Sequence, residues 1–273
     1  MGEVLSEGSA SEVSAEVSLD SFEGQFRMML EKLYSRRGLI FIFGSLVIEF
    51  LMYILVFIIG NIAESYGYVV RISMGTAFMM PIPLLITFAA VVVASEKGGT
   101  LKLSGIPALA GRFLGAVATV VFLMMPAFVM IFVGQTIHGY NFQVSVLYAY
   151  FMVAVYVAIV VAVTMIINTR SEHSAALSFL VVFVVLPAIV FIFGPLSGLV
   201  DIDTLYSVIP LPDMVAAMNA NSFGGLTVLS ILTILKSAPG VDVDPLACFI
   251  LCLGWAVFLF SIVLFVCYRR DSE

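Results

Sequence analysis

Charge is what this chain has least of. Lysine and arginine number 12 and aspartate and glutamate 18 in 273 residues, so 11% of the chain is charged, against roughly a quarter in an average soluble domain. With 62% hydrophobic residues and a mean hydropathy of +1.16, the composition is that of an integral membrane protein. Histidine is nearly missing. His138 and His173 are expected on opposite sides of the bilayer, which excludes a shared histidine site for a metal or for nucleophile activation. Cys248, Cys252 and Cys267 all fall in the last apolar run, where a C-x-x-x-C without a nearby histidine is packing rather than redox or metal chemistry. No basic patch offers nucleic acid a surface, and the net charge of −6 comes largely from the N-terminal tail and the loops. H-E-x-x-H and G-x-S-x-G are absent, and G-P-L-S-G at 194–198 lacks the spacing of a nucleophile elbow. None of the four lysines follows a glycine, so the chain has no P-loop of its own.

What is present is a series of apolar runs behind a polar start. Residues 1–20 are rich in Ser, Glu and Val, with Glu3, Glu7, Glu12, Glu16 and Asp20 and no basic residue. They lack the basic start and apolar core of a signal peptide and are expected to form a disordered acidic cytoplasmic tail. Residues 21–37 read as an interfacial amphipathic helix. D-S-F-E supplies Asp20 as N-cap with Glu23 three residues on. Phe22, Phe26, Met29, Leu30 and Leu33 recur at helical spacing, while Arg27, Lys32, Arg36 and Arg37 supply heads for lipid phosphates. A polar extension of the first span is the alternative.

Six runs follow within 38–268, at 39–60, 72–94, 113–134, 145–167, 175–199 and 245–268. Each is long enough at ~1.5 Å per residue to cross a ~30 Å hydrocarbon layer. Arg27, Lys32, Arg36, Arg37, Lys97, Lys102, Arg112, Arg170, Arg269 and Arg270 lie on one side of this arrangement, and Arg71 and Lys236 on the other. Basic residues favour the cytoplasm, so both termini, including the 269–273 tail, are expected inside a multi-pass cell-membrane protein. The outer segment 200–244 holds two helical pieces broken at Gly224 and Gly225. The second is too short to span, which makes the region around 210–236 a helical hairpin. The expected fold is therefore all-α, with six transmembrane helices, an N-terminal interfacial helix and an outer hairpin between spans five and six. Pro81, Pro83, Pro126, Pro187 and Pro195 remove helical donors in spans two, three and five, as hinges or as packing features.

Glu49 sits near the middle of the first span, in V-I-E-F-L, where a charge costs about 2.5–3.5 kcal/mol on insertion scales. No Lys or Arg lies at the depth of another span to pair with it. It is expected to face the bundle interior. There it is either a site for a cation, a proton or a polar substrate group, or an acid hydrogen-bonded to Ser, Thr or Tyr of a neighbouring helix. Met74, Met79, Met80, Met124, Met125 and Met130 form no regular ladder and are read as apolar filler, not as copper ligands.

The remaining polar island lies between spans two and three. E-K-G-G-T-L at 96–101, followed by Pro107 and then Arg112 with Gly115, resembles the E-x-G-T-L segment, downstream proline and basic-plus-glycine helix start of ABC-2 type permeases. These are the membrane subunits of ATP-binding-cassette exporters. The layout is similar too, with an interfacial helix, six spans, internal termini and an outer hairpin. The chain departs from the pattern in having Gly99 before Thr100 and S-G-I-P at 104–107.

The resemblance implies a separate ATPase subunit, which would hold ATP and Mg2+ and seat a helix carrying 96–109 in its cleft. The permease chain itself would have no cofactor and no enzymatic site. Glu96 and Thr100 would cap or anchor that helix, Lys97 and Lys102 would meet acidic groups on the ATPase, and Gly98, Leu101 and Pro107 complete the segment. Arg170 and Glu172, in N-T-R-S-E-H-S, would make a second cytoplasmic contact. A second permease chain, identical or related, would complete the membrane unit. The substrate stays open. Competing readings are a non-transporting scaffold and a proton-coupled carrier using Glu49, although the two halves show no matched, interrupted repeats.

Overall fold

Long runs of Ala, Val, Leu, Ile and Phe with few internal breaks favour helices, which satisfy every backbone polar group within one segment. The computed structural model describes residues 21–65, 82–95, 105–137, 144–171, 173–185 and 245–271, and every element among them is helical. In chain order these are α1 (Phe22–Glu31), a 3-10 turn (Lys32–Tyr34), α2 (Arg36–Ser65), α3 (Ile82–Ala94), α4 (Ile106–Ile137), α5 (Val144–Asn168), α6 (Ser174–Leu180) running into a π turn (Val181–Val185), and α7 (Pro245–Asp271).

Helix α2 encloses the expected run 39–60, and α5 and α7 follow 145–167 and 245–268 closely. Helix α4 differs: it starts at Ile106 rather than 113, taking in residues assigned from sequence to the preceding loop. Among the described residues one segment, Ile106–Met130, is long and apolar enough to cross a membrane. Leu84–Ala94, Ala154–Asn168 and Leu253–Arg269 are shorter apolar helices. The architecture is thus all-helical with one clear membrane-length segment, and six spans are more than the described residues support. The tail 1–20, the hairpin 210–236, and Pro81, Pro187 and Pro195 lie outside the described residues.

The core lies where α3, α4 and α5 meet. Ile86, Ala90, Val120, Met124, Val157 and Val161 are buried there, and the alanines let backbones approach closely, the kind of van der Waals packing that holds helices together in lipid. Two polar ties cross it: the Tyr150 hydroxyl donates to Val121 O at 2.9 Å, and Thr87 Oγ1 lies 3.5 Å from the Tyr156 hydroxyl. Phe113 and Phe260 stack at 4.4 Å between α4 and α7.

Six residues join α4 to α5, a reach of at most about 25 Å. A parallel return along the 25-residue α5 would need about 37 Å, so these packed helices are antiparallel. Pro126 lies inside α4, and the helix continues through it. Its missing N–H leaves the Phe122 carbonyl without its helical donor. Pro83 lies within the described part of α3.

The start of α1 also departs from expectation. Its N-cap is Ser21, not Asp20, and the Ser21 hydroxyl accepts the Gly24 N–H at 3.0 Å. Either residue type can cap; the helix register selects the second.

Candidate functional site

Of the residues singled out for ATPase coupling, Glu96, Lys97, Gly98, Thr100, Leu101 and Lys102 lie outside the described residues, as does Glu172. The structure does describe the frame that holds both ends of the 96–104 segment. On one side α3 ends at Ala94, and the Ser95 N–H donates to Val91 O at 2.9 Å. On the other, Gly105 has φ +101°, a conformation L side chains avoid. Its carbonyl accepts the Leu109 N–H at 3.3 Å as α4 begins. A continuous helix over 96–109 is therefore corrected: the backbone breaks at Gly105. Pro107 is exposed in the first turn of α4.

The frame is clamped by α1 and the turn that follows. Gly111, Gly115 and Thr119 recur every fourth residue and form a strip of small side chains along α4. Phe22 lies against Gly111, and Phe26 and Met29 lie against Gly115. Thr119 Oγ1 reaches Met29 O at 2.8 Å and Gly115 O at 2.7 Å. Since Phe22, Phe26 and Met29 meet successively later positions of α4, the two helices run in the same direction. Of the helix expected over 21–37, α1 covers Phe22–Glu31, and its buried stripe of Gly24, Gln25 and Met29 meets protein. Its opposite face carries an exposed Arg27–Glu31 pair at 3.4 Å.

Beyond α1, Lys32 Nζ donates to Val93 O at 2.6 Å. That carbonyl belongs to the last turn of α3, where acceptors lack helical donors and the helix dipole favours a cation. One short element, α1 with its 3-10 turn, therefore holds the end of α3 and the start of α4. Sequence reasoning missed this arrangement, although the Gly111, Gly115, Thr119 spacing was a readable sign of close helix contact. Arg112, expected among the cytoplasmic charges, is buried at 3% exposure.

At the end of α5, Arg170 is exposed, and its backbone N–H donates to Ile167 O at 3.0 Å. Asn168, two residues earlier, is fully buried, and neither side-chain amide atom has a hydrogen-bond partner among the described residues. Ser174 and Ser178 of α6 are buried, with the Ser178 hydroxyl donating to Ser174 O at 2.6 Å.

Glu49 is 1% exposed on α2, and both carboxylate oxygens lack a hydrogen-bond partner among the described residues. One turn earlier, the buried Ser45 hydroxyl donates within its own helix, to Ile42 O at 2.8 Å. Among the described residues no three His, Cys, Asp or Glu side chains gather as a metal site. Comparison of the chain with models of protein families, with curated proteins and with solved structures gave no match.

Proposed function

We propose that the chain is the permease subunit of an ATP-binding-cassette exporter of the ABC-2 type. In this reading 38–268 forms six spans with both termini in the cytoplasm, and two such chains, identical or related, enclose a path for a substrate not yet identified. A separate ATPase subunit binds ATP and Mg2+ and engages Glu96, Lys97, Thr100 and Lys102, with Arg170 and Glu172 as a second contact. The E-K-G-G-T-L segment supports the family, and one observation supports the mechanism. The helices at both ends of that segment are held by the same short element, through Lys32 to Val93 O and through the seat of α1 on Gly111 and Gly115. A push on 96–104 by closing ATPase subunits then moves α1, α3 and the start of α4 as one body. Without the clamp, the push would dissipate in a loop.

The test is capture of the tagged full-length chain from its native membrane in mild detergent, with mass spectrometry of co-purifying proteins, repeated for Glu96→Ala and Thr100→Ala. The expected result is a P-loop ATPase in the wild-type sample and less of it in both variants. Wild type and variants that all come without an ATPase would overturn the assignment and leave a scaffold or a carrier.

A second reading, a proton-coupled carrier, is favoured by Glu49 alone, because a buried carboxylate with no partner among the described residues is costly unless it has a use. Proton flux in ATP-free liposomes, abolished by Glu49→Gln, would support this reading over the first.

A further inference from the structure

Beside the clamp, α2 and α3 line a groove of about 1070 Å³. Its volume is at the upper end of the ~300–1,000 Å³ typical of small-molecule sites. Phe41, Gly44 and Ile48 of α2 and Leu85, Phe88 and Val92 of α3 form its walls, and Leu123 of α4 also lines it. Phe41 and Phe88, which both line it, have ring centroids 6.3 Å apart. The charged lining residues collect at one end, while Ser45 lines the groove farther along α2. Lys32, Ser35, Arg37 and Ser95 line the mouth, and no carboxylate lines the groove among the described residues. Lys32 is fixed there by its bond to Val93 O. The Ser35 hydroxyl caps α2 by accepting the Gly38 N–H at 3.1 Å, and Arg37 is exposed.

Depth identifies the occupant. From Arg37 to Ile48 the groove follows about 16 Å of helix, and one leaflet of hydrocarbon is about 15 Å deep. A slot one leaflet deep, apolar along its length except at Ser45 and cationic only at its mouth, complements a molecule with a long apolar tail and an anionic head. We propose that this groove binds one anionic phospholipid of the cytoplasmic leaflet, its phosphate at Lys32 and Arg37 and an acyl chain between α2 and α3. The inference rests on α2 and α3 lying in the membrane with this end towards the cytoplasm. It does not require the ATPase.

Gly44 supplies a clean test, because a Cβ added there meets nothing within 4 Å. Gly44 lines the groove, so a large side chain at this position enters it. The full chain, delipidated in mild detergent, is titrated with dioleoyl phosphatidylglycerol or dioleoyl phosphatidylcholine and analysed by native mass spectrometry. Two basic residues near the headgroup predict a preference for phosphatidylglycerol of about 30-fold. Gly44→Trp should remove the retained lipid. Arg37→Gln, a change on an exposed side chain, should keep lipid binding and reduce the preference to about fivefold.

Equal retention of the two lipids by wild type would overturn the proposal, as would undiminished lipid on Gly44→Trp. So would a loss of dimer mass in Gly44→Trp with lipid unchanged, which would make the groove a contact between copies. A chain that retains the lipid but captures no ATPase loses only the exporter reading; one that captures an ATPase but shows no lipid preference loses only this inference.

Discussion

Gly111→Ala puts the clamp to its most direct test. A Cβ at this position would lie 2.8 Å from both the Cα and the carbonyl carbon of Phe22, where ordinary contact begins at 3.4 Å. The obstacle is backbone, so no rotamer change relieves it, and α1 must withdraw from α4. Overpacking of this kind costs about 1–3 kcal/mol. Withdrawal also weakens the hydrogen bond from Thr119 to Met29 O, worth about 1 kcal/mol. The combined loss of about 2–4 kcal/mol corresponds to roughly 30-fold to 700-fold in the docking equilibrium. Hydrogen exchange reads this out, because a detached helix of 10 residues is too short to stay folded alone. Exchange of the α1 amides should accelerate by that range while the core of α5 keeps its protection. Gly44→Ala is the control. Its Cβ meets nothing, and replacing a helical glycine adds about 0.5–1 kcal/mol. Acceleration of less than about threefold in Gly111→Ala, under 1 kcal/mol, would refute the seating of α1 on this strip.

Three further substitutions probe separate parts of the site. Glu49→Leu removes a buried carboxylate that has no partner among the described residues and should raise the melting temperature in detergent, by an amount equivalent to about 1–3 kcal/mol; a lower melting temperature would show that the carboxylate is satisfied in the native assembly. Gly105→Ala forces a β-carbon onto a backbone with φ +101°, costing about 1–3 kcal/mol, and should lower both the melting temperature and the yield of captured ATPase. An unchanged melting temperature would remove the argument for a chain break there. Lys32→Met keeps the apolar stem but loses the bond to Val93 O, about 1 kcal/mol or somewhat more for a charged donor. It should leave ATPase capture intact while lowering ATP-driven transport, and full transport would count against the clamp as the route of coupling.

The parts of this fold that could be read from sequence are those decided along one helix. The runs behind α5 and α7 end where polar residues begin, so their limits follow from composition, and the burial of Glu49 follows from the cost of a carboxylate in lipid. What escaped was decided between helices. Ser21 and Asp20 are equivalent as caps until the register of α1 is known. The Gly111, Gly115, Thr119 strip announces a close approach but not which helix makes it, and the answer, α1, comes from far earlier in the chain. Arg112 reads as one more cytoplasmic charge because nothing in a linear pattern shows α1 covering the start of α4. The proposed coupling residues, Glu96 to Lys102, stand as a sequence motif that Ser95 and Gly105 frame.

Lys32 connects the two halves of the functional picture. Its ammonium holds the last turn of α3 and lines the mouth of the groove, so a displacement of the 96–104 segment that strains the bond to Val93 O also moves the cation facing the lipid phosphate. Arg37, on the first turn of α2, lines the same mouth without a tie to α3. The two residues therefore separate the effects: Arg37→Gln should alter lipid preference and leave transport alone, whereas Lys32→Met should alter both. If both variants changed lipid preference and neither changed transport, the groove would be an anchor in the inner leaflet, and the path of coupling would run through Gly111 and Gly115 without Lys32.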